Sequence, residues 1–388
     1  VKRSAFPIVV AGFSAFLDLY ATQPLLPELA RVFRTSTFAV SLTVTAPTIA
    51  VAIAAPFAGR IGDRLGLRRT IVASAAALAA ATAFVATART LHAMIVWRFV
   101  QGMVSPGIFS IAIAYIHDEW PAERASSITA AYVGGTVVGG FVGRALMGVL
   151  TSSLGWPAGF LALSVLNGIA AAIIWLRLPE ERRRKGSDRD LLAMAASHLT
   201  NAQLVSAYAV GFGILCTQVA TFTYVTFHLA GPPYRLSTAA LGWIFTTYLV
   251  GAVVTPAAGQ WIDRYGRRTA FIAAIALGIG SVLLTMLRPL VAVLAGLSLF
   301  GTSVFVMQAT ASSHVAANAP RGRGLAVGLY ATWYYLGGTV GGAAPSALWN
   351  RGGWPACVAF AVVVQAAMLA VASSTWSEGS AYPELAAM

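Results

Sequence analysis

The 388-residue chain is 58% hydrophobic and only 10% charged, against about 25% charged residues in an ordinary soluble domain, which excludes a water-soluble fold and points to an integral membrane protein. A net charge of +13 invites a nucleic-acid partner, but the Lys and Arg residues fall in short loops between apolar runs, where they orient helices in a bilayer. Cys216 and Cys357 lie far apart within apolar runs and are expected as small core residues rather than as a disulfide or a metal site.

A membrane-spanning helix needs about 20 mostly apolar residues. That rule predicts an all-α, polytopic membrane protein with twelve spans, at 6–25, 38–58, 70–88, 91–116, 127–150, 157–178, 203–228, 239–258, 270–287, 290–314, 324–348 and 354–375. The first apolar run is long and lacks a clear cleavage site, so it reads as the first span and not as a removable leader. Many spans are rich in Gly, Ala, Ser and Thr, the composition of helices that pack by close backbone approach.

From residue 179 to 202 the apolar pattern breaks. Glu180-Glu181-Arg182-Arg183-Arg184-Lys185 opens a polar, charged stretch that reads as a cytoplasmic linker. The expected organisation is an N-terminal six-helix bundle over 1–178, the linker over 179–202, a C-terminal six-helix bundle over 203–375 and a cytoplasmic tail over 376–388. With the N-terminus inside, eighteen of the 26 Lys and Arg residues face one side, six the other, and Arg98 and Arg144 lie within spans. That asymmetry predicts cytoplasmic termini.

The two halves echo each other. Gly59-Arg60-Ile61-Gly62-Asp63-Arg64-Leu65-Gly66-Leu67-Arg68-Arg69 returns as Gly259-Gln260-Trp261-Ile262-Asp263-Arg264-Tyr265-Gly266-Arg267-Arg268, 200 positions on. Tyr132-Val133-Gly134-Gly135-Thr136 matches Tyr335-Leu336-Gly337-Gly338-Thr339, and Gly155-Trp156-Pro157-Ala158 matches Gly353-Trp354-Pro355-Ala356. Such matches, in the same order within two six-span halves, describe a parallel internal repeat. No Walker loop is present, which argues against transport driven by an ATPase within this chain.

The repeated G-x-x-x-D-R-x-G-x-R turn between apolar spans resembles the loop between helices 2 and 3 of the major facilitator superfamily, and the resemblance covers nearly the whole chain. It implies two pseudo-symmetric six-helix bundles that rock about a midplane site, hence a secondary transporter and not an enzyme. It assigns Gly59, Asp63, Arg64, Gly66, Arg68 and Arg69, with Gly259, Asp263, Arg264, Gly266, Arg267 and Arg268, to cytoplasmic gating. Asp63 would meet the start of helix 11, and Asp263 the start of helix 5, where the helix dipole favours a carboxylate. Asp118 and Glu119 are the expected gate partners of Arg64 or Arg68. On helix 5, Gly134 to Arg144 is similar to the glycine motif of the superfamily's exporters. Gly135, Gly139 and Gly143 keep the spacing, and Gly140 stands where those exporters have proline. The run Leu19 to Pro27 resembles a bacterial subgroup of small-molecule or sugar exporters.

A charged side chain inside hydrocarbon is a functional hypothesis by default. Of 13 acidic residues, only Asp18 lies well inside a predicted span. Desolvation there favours its protonated form and a nearby arginine its ionised form, a balance suited to proton uptake and release. A carboxylate locked to an arginine for packing is the competing reading. At 1.5 Å rise per residue, Asp18, Arg98 and Arg144 each lie about 10 Å from the outer surface. Arg98, with Gln101 and Gly102, resembles the helix-4 motif of proton-driven members, so Asp18 and Arg98 are the expected coupling pair. Arg144 is expected either at a polar or anionic part of a substrate or hydrated in an outer funnel. Tyr20, Gln23, Gln218, Tyr224, Gln308, Tyr330, Trp333 and Tyr334 are candidate substrate contacts, each also readable as a packing or interface residue. The expected partners are a small-molecule substrate and the lipid bilayer of the bacterial inner membrane, without nucleic acid, for a monomer whose coupling ion is the proton and which needs no cofactor. The expected function is a proton-coupled exporter of a small organic molecule working by alternating access; an uptake symporter or facilitator of the same fold and a non-transporting receptor or scaffold are the alternatives.

Overall fold

The computed structural model describes residues 4–181, 191–251, 253, 264–319 and 323–376. These residues form helices and turns, with no strand among them. In chain order the helices are α1 (Phe6–Leu17), α2 (Leu26–Val32), α3 (Thr37–Leu65), α4 (Leu67–Ala86), α5 (Leu91–Val104), α6 (Pro106–Glu119), α7 (Ala122–Leu154), α8 (Trp156–Arg177), α9 (Leu191–Thr200), α10 (Ala202–Ala230), α11 (Thr238–Trp243), α12 (Arg267–Leu284), α13 (Leu290–Asn318), α14 (Arg323–Ala343) and α15 (Pro345–Thr375). Nine helical stretches among the described residues are long and apolar enough to cross a membrane. Most of the apolar stretch of α8 is not buried in the protein, as expected of a helix that is apolar all round and meets lipid.

The expected spans fall on these helices with several differences: the 91–116 span is divided between α5 and α6, and in the 239–258 span α11 ends at Trp243 and passes into a 3-10 segment at Ile244–Thr246, with 252 and 254–258 outside the described residues. The first span, 6–25, is not one helix: α1 stops at Leu17 and a turn leads to a short 3-10 segment at Gln23–Leu25. Pro24 lacks an N–H and its ring conflicts with the Tyr20 carbonyl four residues back, which disfavours regular α-helix over this stretch. Within the expected linker, Leu191–Thr200 is helical; residues 182–190 and the tail from 377 lie outside the described residues. Finally, the last two expected spans meet at a kink inside α15, at Gly353.

The internal repeat is visible in the backbone. Gly66 and Gly266 adopt φ of 96° and 83°, and Gly155 and Gly353 φ of 82° and 59°. A side chain is disfavoured in this region, so both recurring sequence blocks keep glycine where the chain turns between helices. A further pair escapes the sequence comparison. Arg34 (φ 48°) and Arg235 (φ 49°) are positive-φ non-glycine residues, and each precedes by two residues a serine that caps the next helix. Ser36 accepts from the Ala39 N–H at 3.2 Å and Ser237 from the Ala240 N–H at 3.3 Å.

The described chain forms two compact units. One comprises residues 1–188 with 222–246 and 342–347; the other comprises 189–221, 247–341 and 348–388. In the first, α1 packs on α7, α4 on α8 and α3 on α5; in the second, α12 packs on α13. Cys216 and Cys357 are buried and form no disulfide among the described residues.

Candidate functional site

The break in α1 explains what surrounds Asp18. Gln23 N–H bonds the Tyr20 carbonyl instead of reaching back to Leu19, which frees the Leu19 carbonyl. In α3, Thr43 stands four residues before Pro47, so its carbonyl also lacks a helical donor. Buried carbonyls need partners, above all in a membrane. Arg98 supplies them: its Nη2 donates to the Leu19 carbonyl at 2.7 Å, its Nη1 to the Asp18 carbonyl at 2.8 Å and its Nε to the Thr43 carbonyl at 2.9 Å. Gly102, one turn on, lets α5 approach this point, since a Cβ there would collide with the backbone of Pro47. Arg98 is fully buried, and among the described residues its guanidinium forms no hydrogen bond or ion pair with the Asp18 carboxylate. It clamps the main chain beside that carboxylate.

The Asp18 carboxylate is held by neutral groups. Its Oδ2 accepts from the Thr82 hydroxyl at 3.1 Å and from the Asn167 amide. Asn167 Oδ1 accepts from the Ser14 hydroxyl at 2.7 Å. On the other side, Gln101 Nε2 donates to Thr82 Oγ1 at 2.8 Å, and Gln101 Oε1 accepts from Arg98 Nη1 at 2.7 Å. Ser14, Asp18, Thr82, Arg98, Gln101 and Asn167 are all at most 1% exposed. They form one buried polar chain through α1, α4, α5 and α8. The sequence reading named Asp18, Arg98 and Gln101 but missed Ser14, Thr82 and Asn167. Asn167 is the single amide of the 157–178 span, which is the signal in the sequence that points to it.

Arg144 does not join this chain, and the expectation of a hydrated funnel arginine is corrected by its 5% exposure. Its Nε donates to Gln23 Oε1 at 2.8 Å and its Nη1 to the Gly140 carbonyl at 2.7 Å. The guanidinium lies 5.0 Å from the Tyr20 ring centroid and 4.8 Å from that of Phe245, within cation–π range. Gln23 Nε2 donates to Thr223 Oγ1 at 3.3 Å. The two charged clusters are therefore linked by the unwound segment from Asp18 to Gln23. A Cβ at Gly140 would sit 3.2 Å from the Arg144 guanidinium, a local reason for a small residue where exporters have proline.

The remaining helix-5 glycines serve packing. A Cβ at Gly135, Gly139 or Gly143 would run into the carbonyl oxygens of Val9, Phe13 and Leu17, so this stripe lies directly on α1 and ends beside Asp18. The same arrangement recurs in the other unit, where Gly337 and Gly341 lie against the carbonyls of Phe212 and Cys216.

The softer candidates disperse. Gln218 Nε2 donates to the Tyr248 hydroxyl at 3.2 Å, and the Tyr334 hydroxyl lies 3.5 Å from Gln218 Oε1. Tyr330 stacks on Tyr334 at 5.9 Å between centroids, and its ring also fills the space beside Gly211. The Tyr224 hydroxyl donates to the Gly342 carbonyl at 3.0 Å. Trp333 is 40% exposed and Gln308 half-buried.

At the first basic turn, Asp63, Arg64 and Arg69 are exposed, as is Gly59. The turn residues 62–69 line a cavity of about 500 Å³ together with Asp118, Glu180 and Glu181. Beside the expected partners Asp118 and Glu119, Arg68 has a pairing the sequence did not indicate, with Glu180 at 3.3 Å. Glu181 accepts from the Arg68 N–H at 3.2 Å, placing a carboxylate on the open N-terminus of α4, where free N–H groups and the dipole favour it. Arg68 Nη2 also donates to the Trp175 carbonyl at 2.7 Å, and in the second turn Arg268 Nη2 donates to the Ser373 carbonyl at 3.0 Å. Each basic turn thus caps the last helix of its own half. Arg267 Nε donates to Ser313 at 3.0 Å, and Arg264 lies over Tyr265 at 5.3 Å. Gly259 and Asp263 lie outside the described residues.

Known proteins carry the same pattern. The model of the Major Facilitator Superfamily matches residues 8–232 and 211–378. The chain is 31% identical over 360 residues to the uncharacterized MFS-type transporter YybF of Bacillus subtilis (strain 168), covering 91% of this chain and 88% of that one. It is 27% identical over 362 residues to the inner membrane transport protein YnfM of Escherichia coli (strain K12), covering 92% and 87%. A crystal structure of the nucleoside transporter NupG superposes with a TM-score of 0.80 at 12% identity, over 96% of this chain and 100% of that one, a likeness of fold alone. With a family match across nearly its whole length and a curated relative above 30% identity, the chain belongs to the Major Facilitator Superfamily: it is a multi-pass membrane transporter and not an enzyme.

Proposed function

We propose that the protein is a proton-coupled exporter of a small organic molecule, working as a monomer in the bacterial inner membrane by alternating access, with both termini cytoplasmic. The observation that carries the reading is Asp18, a fully buried carboxylate hydrogen-bonded by Thr82 and Asn167 and, among the described residues, in no direct ion pair. Burying an unpaired charge is expensive, and neutral donors tolerate both the ionised and the protonated group. A site of this kind takes and gives up a proton without dismantling its surroundings. Inward proton movement supplies about 2.3 kcal/mol per 100 mV of membrane potential, which would drive the cargo outward. The relatives with inner-membrane and transporter names support the location and the class. Arg144, flanked by Tyr20 and Phe245, favours a cargo with a polar or anionic group. No cofactor is needed beyond the proton, and no nucleic-acid partner is part of the reading.

Accumulation of candidate cargoes in everted vesicles, with and without a protonophore, tests the reading, after a ligand-stabilisation screen on purified protein has narrowed the substrates. Export predicts protonophore-sensitive accumulation in everted vesicles that Asp18→Asn abolishes. Retained uphill transport in that variant would refute the coupling assignment. Gly140, standing where exporters have proline, favours uptake by the same fold as the second reading; accumulation in right-side-out vesicles would establish it.

A further inference from the structure

The two oxygens of the Asp18 carboxylate are not equivalent. Oδ2 accepts both hydrogen bonds, from Thr82 and from Asn167. Oδ1 is buried without a hydrogen-bond partner. The asymmetry traces to Asn167, which is itself fully buried on α8. Its Oδ1 is engaged by the Ser14 hydroxyl at 2.7 Å, which turns the NH2 end of the amide toward Asp18. An NH2 group donates and cannot accept, so a proton on Oδ2 would face it hydrogen to hydrogen.

Thr82 adds a second, weaker donor to the same oxygen. Its Oγ1 already accepts from Gln101 Nε2 at 2.8 Å, and its one hydroxyl hydrogen is shared between Asp18 Oδ2 at 3.1 Å and the Leu78 carbonyl at 2.7 Å. Oδ2 is thereby held as the carbonyl-type oxygen, whose two lone pairs suit two donors. The charged side chain on the surrounding helices is Arg98 of α5, spent on the Asp18 and Leu19 carbonyls. Arg144 of α7 is turned to Gln23.

We propose that Asn167 is a positioning residue that makes Oδ1 the oxygen of Asp18 that takes and releases the proton. The inference rests on the reading of Asp18 as the coupling carboxylate. On protonation the O–H bond forms at Oδ1, the negative charge is neutralised and the C=O character settles on Oδ2. The Asn167 and Thr82 hydrogen bonds persist in both states. Protonation then needs no rearrangement of the buried polar chain, and Oδ1 is left as the exchange face.

pH-difference infrared spectroscopy of the purified full-length protein in lipid nanodiscs tests this. The C=O stretch of neutral Asp18 is assigned by its loss in Asp18→Asn. In the wild type that stretch belongs to the C–Oδ2 bond and is lowered by two donors. Asn167→Ala removes one of them and should move the band to higher wavenumber, Thr82→Val should move it the same way, and the double variant should move it further. A band that stays in place or moves to lower wavenumber puts the proton on Oδ2 and overturns the assignment. Should Asn167→Ala fail to fold, Thr82→Val decides alone, because it removes a donor from the same oxygen. A wild type with no Asp18-dependent band at any pH would sink the coupling reading and this inference together. An Asp18 band indifferent to both substitutions sinks the positioning role and leaves the coupling reading standing.

Discussion

Arg98 donates its Nε hydrogen to the carbonyl of Thr43 at 2.9 Å, the one carbonyl that Pro47 leaves without an α-helical donor in that turn of α3. With its bonds to Asp18 and Leu19, the guanidinium holds three buried main-chain carbonyls, one in α3 and two in the turn after α1; of these the Asp18 carbonyl also accepts from the Ala21 N–H at 3.0 Å, which leaves Thr43 and Leu19 most dependent on Arg98. An unsatisfied buried polar group costs about 1–3 kcal/mol. Arg98→Gln is therefore expected to lower stability by roughly 3 kcal/mol or more, and Arg98→Lys to rescue it only in part, because an ammonium lacks the planar fork. Thermal unfolding in detergent measures both. Pro47→Ala restores an N–H to Thr43, so Arg98→Gln should cost less in that background than in the wild type. Strict additivity of the two changes would contradict the clamp.

Asp18→Asn separates stability from coupling. The substitution keeps the shape and removes a buried charge whose Oδ1 has no partner, while Thr82 and Ser14 can still be bonded through rotated amides. The expected result is a melting temperature equal to or above that of the wild type, with uphill transport lost. A strong destabilisation would assign Asp18 to the fold instead of the cycle.

The glycines of α7 differ sharply in what surrounds them. A Cβ at Gly139 meets the Phe13 backbone, whereas nothing lies within 4 Å of one at Gly134. Forcing a methyl into a packed contact costs about 1–3 kcal/mol, and Gly→Ala in an open helix position gains up to about 1 kcal/mol. Gly139→Ala should therefore lower the melting temperature and Gly134→Ala raise it slightly. Equal effects would mean that α1 and α7 are not in backbone contact at that stripe.

Much of this architecture was legible from residues alone. The apolar runs marked the spans, and the repeated blocks foretold that Gly66 and Gly266 would turn alike. Asp18 stood out because hydrocarbon makes a lone carboxylate conspicuous. Its environment was not legible. The helix breaks after Leu17 within an otherwise uniform apolar run, and Pro24, six residues on from Asp18, is the single local sign of irregular backbone there. Arg98 was matched to Asp18 by sign and depth, but hydrogen bonding is decided by which carbonyls the prolines orphan and by how near Gly102 lets α5 come. Asn167 carries no charge, and the sequence points to it only as the single amide of its span. Glu180 and Glu181 read as the start of a linker, because nothing local shows that the chain leaving α8 turns onto the open end of α4.

Those two adjacent glutamates give the last prediction. Glu180 reaches Arg68 with a side chain 82% exposed, and exposed ion pairs contribute about 0–1 kcal/mol. Glu181 instead accepts from the Arg68 main-chain N–H at 3.2 Å, at a helix start whose residue before the first turn is Gly66 and offers no side-chain cap. Replacing a capping acceptor costs about 0.5–2 kcal/mol. Glu181→Ala should then destabilise the protein by about 1 kcal/mol, and Glu180→Ala by a few tenths at most on the scale of exposed pairs. The Glu181→Ala deficit should persist in high salt more than that of Glu180→Ala, because a direct hydrogen bond survives the screening that weakens a solvated charge pair. Hydrogen exchange of the first-turn amides of α4 provides the local readout: Glu181→Ala should deprotect Arg68, while Glu180→Ala should not. If both variants deprotect it equally, the turn is held by the net charge of the segment and not by a cap.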